Sequence, residues 1–230
     1  MTATHRRLAG VAASAGVLLA SAGAMAAQAA AATITVDKPC YVNTAAGPAQ
    51  MVITGGGFNP GDNVSIIGGT TDTSAMADPN GNFVTTATAA PELNTEGPGT
   101  IATTLTATDQ DLTTDATITA QTTARSANLA VATKPTSIPA KDIKQRKITF
   151  SFSGFTPGKD VYGYYLRKRV VAREKFGKAT GSCGTLKRKA LLFPGGHPRK
   201  STYNVAFEST SKYTKKAYPS VIGKLSILSF

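Results

Sequence analysis

The chain has 230 residues, with 25 lysines and arginines against 13 aspartates and glutamates and a formal net charge of +12. This length exceeds the usual size of one domain, and the two histidines, one of them in the first seven residues, exclude a multi-histidine metal site. The charge is uneven, because residues 32–130 hold 2 bases and 9 acids, whereas residues 131–230 hold 21 bases and 4 acids. A cationic C-terminal part therefore follows a mildly anionic one.

Residues 1–29 have the pattern of a secretory signal peptide. Arg6 and Arg7 precede an apolar run over residues 8–24, and small residues follow it at Ala27 and Ala29. The alternative, an uncleaved membrane anchor, is less favoured because so alanine-rich a run is weakly hydrophobic for a bilayer span. We expect export to the cell exterior and a mature chain without a transmembrane span.

Threonine, valine, isoleucine, glycine and alanine dominate after the leader, and no window shows a helical stripe, so the sequence predicts an all-β fold. In the first domain, strands are predicted at residues 34–42, 50–56, 64–67, 74–77, 83–89, 101–108 and 116–122. Asn80-Gly81 predicts a type I′ hairpin between two of these strands, since both central residues of that turn need positive φ.

Residues 126–141 contain Pro135 and Pro139, which favour a stiff connector or an edge strand. The domain boundary is predicted there, giving domains at residues 32–130 and 131–230. Strands of the second domain are predicted at residues 148–153, 161–166, 170–176, 185–193, 203–207 and 221–228, with a hairpin tip at residues 167–169.

An eight-residue stretch from Gly57 to Val64 recurs 97 positions later, from Gly154 to Val161. In each copy an aromatic residue ends one strand, a Pro-Gly pair turns the chain, and an apolar residue begins the next strand. The corner residues are Phe58, Pro60, Gly61, Phe155, Pro157 and Gly158. A repeat of roughly 100 residues built of short strands predicts two tandem immunoglobulin-like β-sandwiches.

The pattern Val-x-Thr-Gly-x-Gly-Phe-x-Pro-Gly-x-x-Val, present from Val52 to Val64 with one extra glycine, resembles a corner of bacterial immunoglobulin-like domains. These include the IPT/TIG and enediyne-apoprotein types of secreted actinobacterial proteins. The resemblance covers about a dozen residues in each repeat and implies a fold, not an activity. The chain departs from the enediyne apoproteins because it lacks their two intradomain disulfides.

No sequence feature points to an enzyme or to a cofactor. His197 lies in a turn-rich stretch at residues 194–198, where an exposed loop residue is favoured over a catalytic base. The chain has no Gly-x-Ser-x-Gly elbow, phosphate loop or His-Glu-x-x-His pattern. An envelope hydrolase would need a paired set of carboxylates, and the four acids of the second domain are too scattered to nominate a pair.

The acids of the first domain suggest a calcium-binding site as one interpretation, because residues 78–82 begin like an oxygen-ligand loop and Asp109, Asp111 and Asp115 cluster. The spacing fails the helical calcium loop, which needs glycine at position six and glutamate at position twelve, where this chain has Ala89. Turns and solvated loops are favoured, so no metal site is predicted; a loose calcium site at one end of the sandwich is the alternative.

Cys40 and Cys183 are the only cysteines, one in each domain of a chain predicted to reach an oxidising location. A bridge would have to join the two domains or two chains. Two buried free thiols are the other possibility, and geometry decides between them.

The bases of the second domain form the most specific functional feature. Strand alternation places Arg173 with Lys175, and Lys187 with Lys189, on a shared face of their strands. The predicted basic face consists of Arg167, Lys168, Arg169, Arg173, Lys175, Lys187 and Lys189. The competing interpretation is solubility and protection of sheet edges from aggregation. Tyr162, Tyr164 and Tyr165 would add stacking surface or, as favoured, pack in part into the core.

The resulting functional hypothesis is a secreted, non-enzymatic envelope protein whose basic domain is attracted to an anionic cell-wall or extracellular polymer. No specific nucleic acid is implied. The alternative is a small-molecule carrier with a ligand cleft in one β-sandwich.

Overall fold

The computed structural model describes residues 31–44, 46–89, 97–110, 117–195, 198–217 and 219–227. These residues form an all-β structure with one short 3₁₀ turn at Ala140–Asp142, which confirms the all-β part of the predicted fold class. None of their helical segments has the length and apolar character to cross a membrane. The predicted signal peptide, residues 1–29, lies outside the described residues.

The first half of the structure, residues 32–128, consists of one three-stranded and one five-stranded sheet. The three-stranded sheet has the order β1-β3-β6, and the five-stranded sheet has the order β2-β8-β7-β4-β5. The strands are β1 (Thr33–Val36), β2 (Tyr41–Asn43), β3 (Ala49–Gly56), β4 (Asn63–Gly68), β5 (Thr71–Met76), β6 (Phe83–Ala89), β7 (Thr100–Gln110) and β8 (Thr117–Asn128).

The second half, residues 130–227, consists of a three-stranded sheet, β13-β10-β9, and a four-stranded sheet, β12-β11-β14-β15. Its strands are β9 (Ala130–Lys134), β10 (Lys147–Ser153), β11 (Asp160–Leu166), β12 (Val170–Lys178), β13 (Leu186–Leu191), β14 (Ser201–Glu208) and β15 (Ser220–Ile227). The order β1-β3-β6 corresponds to β9-β10-β13, and β8-β7-β4-β5 corresponds to β15-β14-β11-β12. The two halves therefore share one strand order, and β2 has no counterpart among the described strands of the second half.

Each pair of sheets encloses its own hydrophobic core. Small and aliphatic side chains dominate the core of the first half, where Phe58 and Phe83 form the aromatic pair with ring centroids 5.3 Å apart. The core of the second half is aromatic, with Phe150 and Phe152 of β10 packed against Phe176 of β12 at 4.7 and 5.0 Å. Period-2 alternation along β10 places these two rings inward and the intervening Ser151 outward.

The repeated corner has the same hydrogen bonds in both halves. The Phe58 N–H donates to the Gly81 carbonyl at 3.1 Å, and the Phe155 N–H donates to the Gly184 carbonyl at 3.2 Å. Both phenylalanines are buried. In the Pro-Gly turns, Gly61 and Gly158 have φ of +84° and +75°, values at which the lack of a side chain removes the steric cost.

The predicted strand at residues 34–42 is wrong in one respect, because the chain leaves one sheet and enters the other within it. β1 pairs antiparallel with β3, whereas β2 pairs parallel with β8. Between them, Asp37 Oδ1 accepts a hydrogen bond from the Tyr41 hydroxyl at 2.5 Å and another from the Val52 N–H at 2.9 Å. Pro39 has no N–H to continue a ladder, which favours a break there.

The predicted Asn80-Gly81 hairpin is also wrong, because its two flanking strands belong to different sheets. β5 pairs with β4, and β6 pairs with β3. Asp78 Oδ1 accepts the N–H groups of Asn80 and Asn82 at 2.8 and 2.9 Å, so a carboxylate-capped loop connects the sheets. The positive φ expected at Gly81 is present, at +75°.

The chain passes from the first half to the second at Leu129, between β8 and β9, two residues before the predicted start of the second domain. β9 is an edge strand, which is one of the two forms expected for residues 126–141. The Ser153 hydroxyl donates to the Asn128 carbonyl at 2.5 Å and accepts the Gly99 N–H at 3.2 Å. Hydrogen bonds therefore join the halves where the chain crosses.

A disulfide also joins the two halves. Cys40, between β1 and β2, is bonded to Cys183, in the loop between β12 and β13, over a sequence separation of 143 residues. The sequence left open a bridge within one chain, a bridge between two chains or two free thiols, and the structure has the bridge between the halves of one chain.

We expect Gly184→Ala to lower the free energy of unfolding by about 3 kcal/mol, because alanine is strained at positive φ and its Cβ would meet backbone. Gly184 has a φ of +58°, and a Cβ there would lie 1.5 Å from the Phe155 carbonyl oxygen. Chemical denaturation measures the change. Gly223→Ala is the matched control, since no atom lies within 4 Å of its Cβ position. Equal stability of the two variants would contradict this account of the corner.

We expect the double substitution Cys40→Ser, Cys183→Ser to lower the free energy of unfolding by about 2–5 kcal/mol, because the bridge closes a long loop in the unfolded chain. Thermal melts with and without a thiol reductant measure this effect. The reductant should lower the melting temperature of the natural protein and leave that of the double variant unchanged. An unaltered melting temperature in the double variant would show that the bridge does not stabilise the fold.

Candidate anion-binding groove

A groove of about 750 Å³ lies at one end of the second half, and four of its eight lining residues are cationic. Three of its bases come from the turn that joins β11 to β12, and a fourth base comes from the segment before β14. Its lining residues are Arg167, Lys168, Arg169, Val170, Val171, Phe193, Arg199 and Tyr203. The volume is within the range of small-molecule sites, so the groove is large enough for several polar groups.

Local hydrogen bonds hold both sides of this groove. At the turn, the Arg167 N–H donates to the Arg169 carbonyl at 3.1 Å. On the other side, the Tyr203 hydroxyl accepts the Arg199 N–H at 2.9 Å and donates to the Arg199 carbonyl at 3.0 Å. The Tyr203 ring is buried against Phe193, with ring centroids 5.1 Å apart. The backbone of Arg199 is thus fixed to the aromatic core.

The four acids of the second half lie elsewhere and leave the groove uncompensated. Asp142 pairs with Arg146 at 3.6 Å, and Asp160 pairs with Lys175 at 2.8 Å. Burial raises the pKa of Glu174, an effect that Arg188 partly offsets. Glu208 is buried and accepts a hydrogen bond from the Thr210 hydroxyl at 2.8 Å. None of the four groove bases forms an ion pair with a described carboxylate, so their charge is available to a ligand.

Arg173 and Lys175 are engaged within the protein on the outer face of the four-stranded sheet. The Arg173 guanidinium lies 5.0 Å from the centre of the Tyr162 ring, and its Nη1 donates to the Ser211 carbonyl at 2.9 Å. The Lys175 ammonium donates to Asp160, and this hydrogen bond is the main cause of its raised pKa. These two bases stabilise the sheet and its covering loop.

Lys187 and Lys189 lie on the opposite side of the second half. They are exposed on β13, where they pair with Ser151 and Thr149 on the outward face of β10. Lys187 lines a separate groove of about 410 Å³ between the two halves. The seven residues predicted as one basic face therefore divide into three places, because β12 and β13 belong to different sheets with opposite outer faces.

Tyr162, Tyr164 and Tyr165 offer no exposed stacking surface. Tyr165 is in the core, while Tyr162 and Tyr164 form a smaller cluster on the outer face of the four-stranded sheet. The loop after β14 covers this cluster: the Tyr164 hydroxyl donates to the Thr210 carbonyl at 2.6 Å, and the Tyr213 ring lies 5.7 Å from that of Tyr164. Burial is the main cause of the raised pKa of Tyr164.

Sequence reasoning missed Arg199 as a groove residue. Its only local signal is the pattern Arg199-Lys200-Ser201-Thr202-Tyr203, a base four residues before a strand tyrosine. The neighbouring His197 lies outside the described residues, so its expected role as an exposed loop residue is untested.

The described carboxylates in the region considered as an alternative calcium site accept hydrogen bonds from the backbone. Asp78 caps the loop between β5 and β6, and Asp109, which is fully buried, accepts the Asn59 N–H of the first corner at 2.9 Å. Asp111 and Asp115 lie outside the described residues. Within the described ranges, no three histidine, cysteine, aspartate or glutamate side chains form a group that could hold a metal ion.

Comparison with known proteins gives no functional assignment. No protein-family model matches the chain, and no curated protein matches it. A solved structure of the YadV chaperone aligns with 84% of this chain and 99% of its own chain, at 6% sequence identity and a TM-score of 0.27. A TM-score this low establishes neither a shared fold nor a shared activity.

We expect Arg173→Gln to lower the free energy of unfolding by about 1 kcal/mol, because it removes a cation–π contact and a hydrogen bond to a carbonyl. Chemical denaturation of the variant measures this loss. Lys187→Gln, an exposed base on the other sheet, is the control and should change stability by less than about 0.5 kcal/mol. Similar stability of the two variants would contradict the structural role given to Arg173.

Proposed function

We propose that the protein is a secreted, non-enzymatic envelope protein whose basic domain binds an anionic polymer of the cell wall or extracellular space. The observation that carries this proposal is the groove lined by Arg167, Lys168, Arg169 and Arg199, none of which pairs with a described carboxylate. Four uncompensated cations in one concave surface raise the local concentration of an anionic ligand and strengthen its binding. The interaction is electrostatic and implies no specific nucleic acid.

The architecture supports two tandem immunoglobulin-like domains as the framework. Both halves have the same strand order and the same hydrogen-bonded Phe-x-Pro-Gly corner. Tyr203, near the start of β14, bonds through its hydroxyl to the backbone of Arg199 four residues upstream. This is the arrangement of a tyrosine corner, a feature of immunoglobulin-like sandwiches.

Export is supported by two features of different kinds. The apolar run and small residues before residue 30 follow the signal-peptide pattern. The Cys40–Cys183 bridge suits an oxidising compartment, since disulfides persist outside the reducing cytosol. In this scheme the second domain attracts the anionic polymer, whereas the mildly anionic first domain repels it. The first domain then acts as a spacer.

The carrier alternative finds less support. The largely apolar cavity between β9 and β15 has a volume of about 180 Å³, below the range typical of small-molecule sites. Tyr165 lines it with a hydroxyl that has no hydrogen-bond partner among the described residues. A cavity of this size holds a molecule little larger than benzene.

We expect the purified protein to bind anionic polymer at low ionic strength and to lose that binding as salt rises to several tenths molar, because screening weakens exposed charge pairs. The double variant Arg167→Gln, Arg169→Gln should bind with a salt dependence of affinity that is smaller by roughly two charges. It should also elute earlier from a polymer column. Lys187→Gln, Lys189→Gln removes the same charge from the opposite sheet and should elute closer to the natural protein. Equal losses in both pairs would indicate nonspecific attraction by net charge, and salt-independent retention would contradict the proposal.

A further inference from the structure

We infer that the groove recognises phosphate groups, so that the polymer is a phosphate-bearing one rather than a polyuronate. This inference rests on the proposed function and adds the chemical class of the ligand. Three of the four groove bases are arginines, namely Arg167, Arg169 and Arg199. A lysine-rich surface would attract any polyanion, whereas a group of arginines favours anions whose oxygens match the geometry of the guanidinium donors.

The guanidinium group presents several N–H donors in a fixed plane, which match two oxygens of a phosphate at once. A lysine ammonium is a strongly hydrated point charge and makes no such paired contact. Carboxylates also accept paired hydrogen bonds, but each has two oxygens in one plane. A tetrahedral phosphate presents oxygens in more than one direction, so arginines on opposite sides of a groove can contact the same group.

The groove takes its arginines from two separate segments of the chain. Arg167 and Arg169 flank Lys168 at the turn between β11 and β12, and Arg199 reaches the groove from the segment before β14. The Tyr203 hydroxyl holds the Arg199 backbone through two hydrogen bonds. Less conformational entropy of Arg199 is therefore lost when a ligand binds. The groove bases therefore come from two segments that local hydrogen bonds hold.

The other lining residues disfavour recognition of sugar rings or bases. Phe193 and Tyr203 are 6% and 2% exposed, so their faces are covered by the core and provide no platform for stacking. Val170 and Val171, which are 38% and 46% exposed, are the apolar residues open to solvent at the groove. They offer a ligand van der Waals contact and no stacking surface.

The experiment compares two polyanions, linear polyphosphate and polygalacturonate, matched in charge per chain, by calorimetric titration of the full protein at one salt concentration. We expect the natural protein to bind polyphosphate about tenfold more tightly, because paired guanidinium–phosphate hydrogen bonds add to the Coulomb attraction. The substitution Arg167→Lys, Arg169→Lys, Arg199→Lys keeps every positive charge and should remove most of this preference. Arg188→Lys, on β13 and outside the groove lining, should keep it.

The outcomes separate the two proposals. Equal affinity of the natural protein for both polymers, or an unchanged preference in the lysine variant, would overturn the phosphate inference and leave electrostatic binding in place. No binding to either polymer at low salt would overturn the proposed function itself. Melting temperatures of the lysine variant and the natural protein exclude unfolding as the cause, because these conservative changes at the surface should alter stability little.

Discussion

The whole structure depends on the corner that occurs once in each half. A buried phenylalanine donates its N–H to the carbonyl of a glycine in a distant loop, Gly81 for Phe58 and Gly184 for Phe155. In each half this contact connects the strand before the corner to the loop that precedes its neighbouring strand, β6 in the first half and β13 in the second. Because the glycine has positive φ and lies against the backbone of the phenylalanine, no larger residue fits there. The contact therefore extends the pairing of two strands of the three-stranded sheet into the corner, and the phenylalanine ring is buried in the core.

The two halves share one strand order but differ in charge, and the difference lies in the strands as well as in the turns. The turn between β11 and β12 contains Arg167, Lys168 and Arg169, whereas the equivalent turn between β4 and β5 consists of Gly69 and Thr70. A strand that pairs on both edges tolerates little change in its backbone and length, whereas a hairpin turn in solvent tolerates much more change in sequence. In the second half, Tyr203 bonds to the Arg199 backbone and packs against Phe193 of the aromatic core. The two copies of one strand arrangement therefore differ both in this turn and in the aromatic content of their cores.

Local patterns in the sequence predicted the corner, most strands and the turn at residues 167–169, because each depends on neighbours a few positions apart. The errors arose where the outcome depends on distant residues. Nothing near Asn80-Gly81 indicates that β5 and β6 pair with different partners, and the break within residues 34–42 depends on Asp37 accepting the Val52 N–H fifteen residues away. Strand alternation correctly placed Arg173 with Lys175 and Lys187 with Lys189, but it does not relate one sheet to another. The groove required both the turn and Arg199, which lie more than thirty positions apart in the chain.

The second corner is also the place where the two halves meet. Ser153 and Gly154, immediately before Phe155, contact the chain at Asn128 and Leu129, and a Cβ on Gly154 would lie 2.7 Å from the Leu129 Cα. Cys183, immediately before the glycine that accepts from Phe155, carries the disulfide to Cys40. Its carbonyl also accepts the Gly154 N–H at 3.0 Å. The contacts that close the second corner and those that join it to the first half therefore involve the same few residues, so opening of the corner and loosening of the junction should occur together.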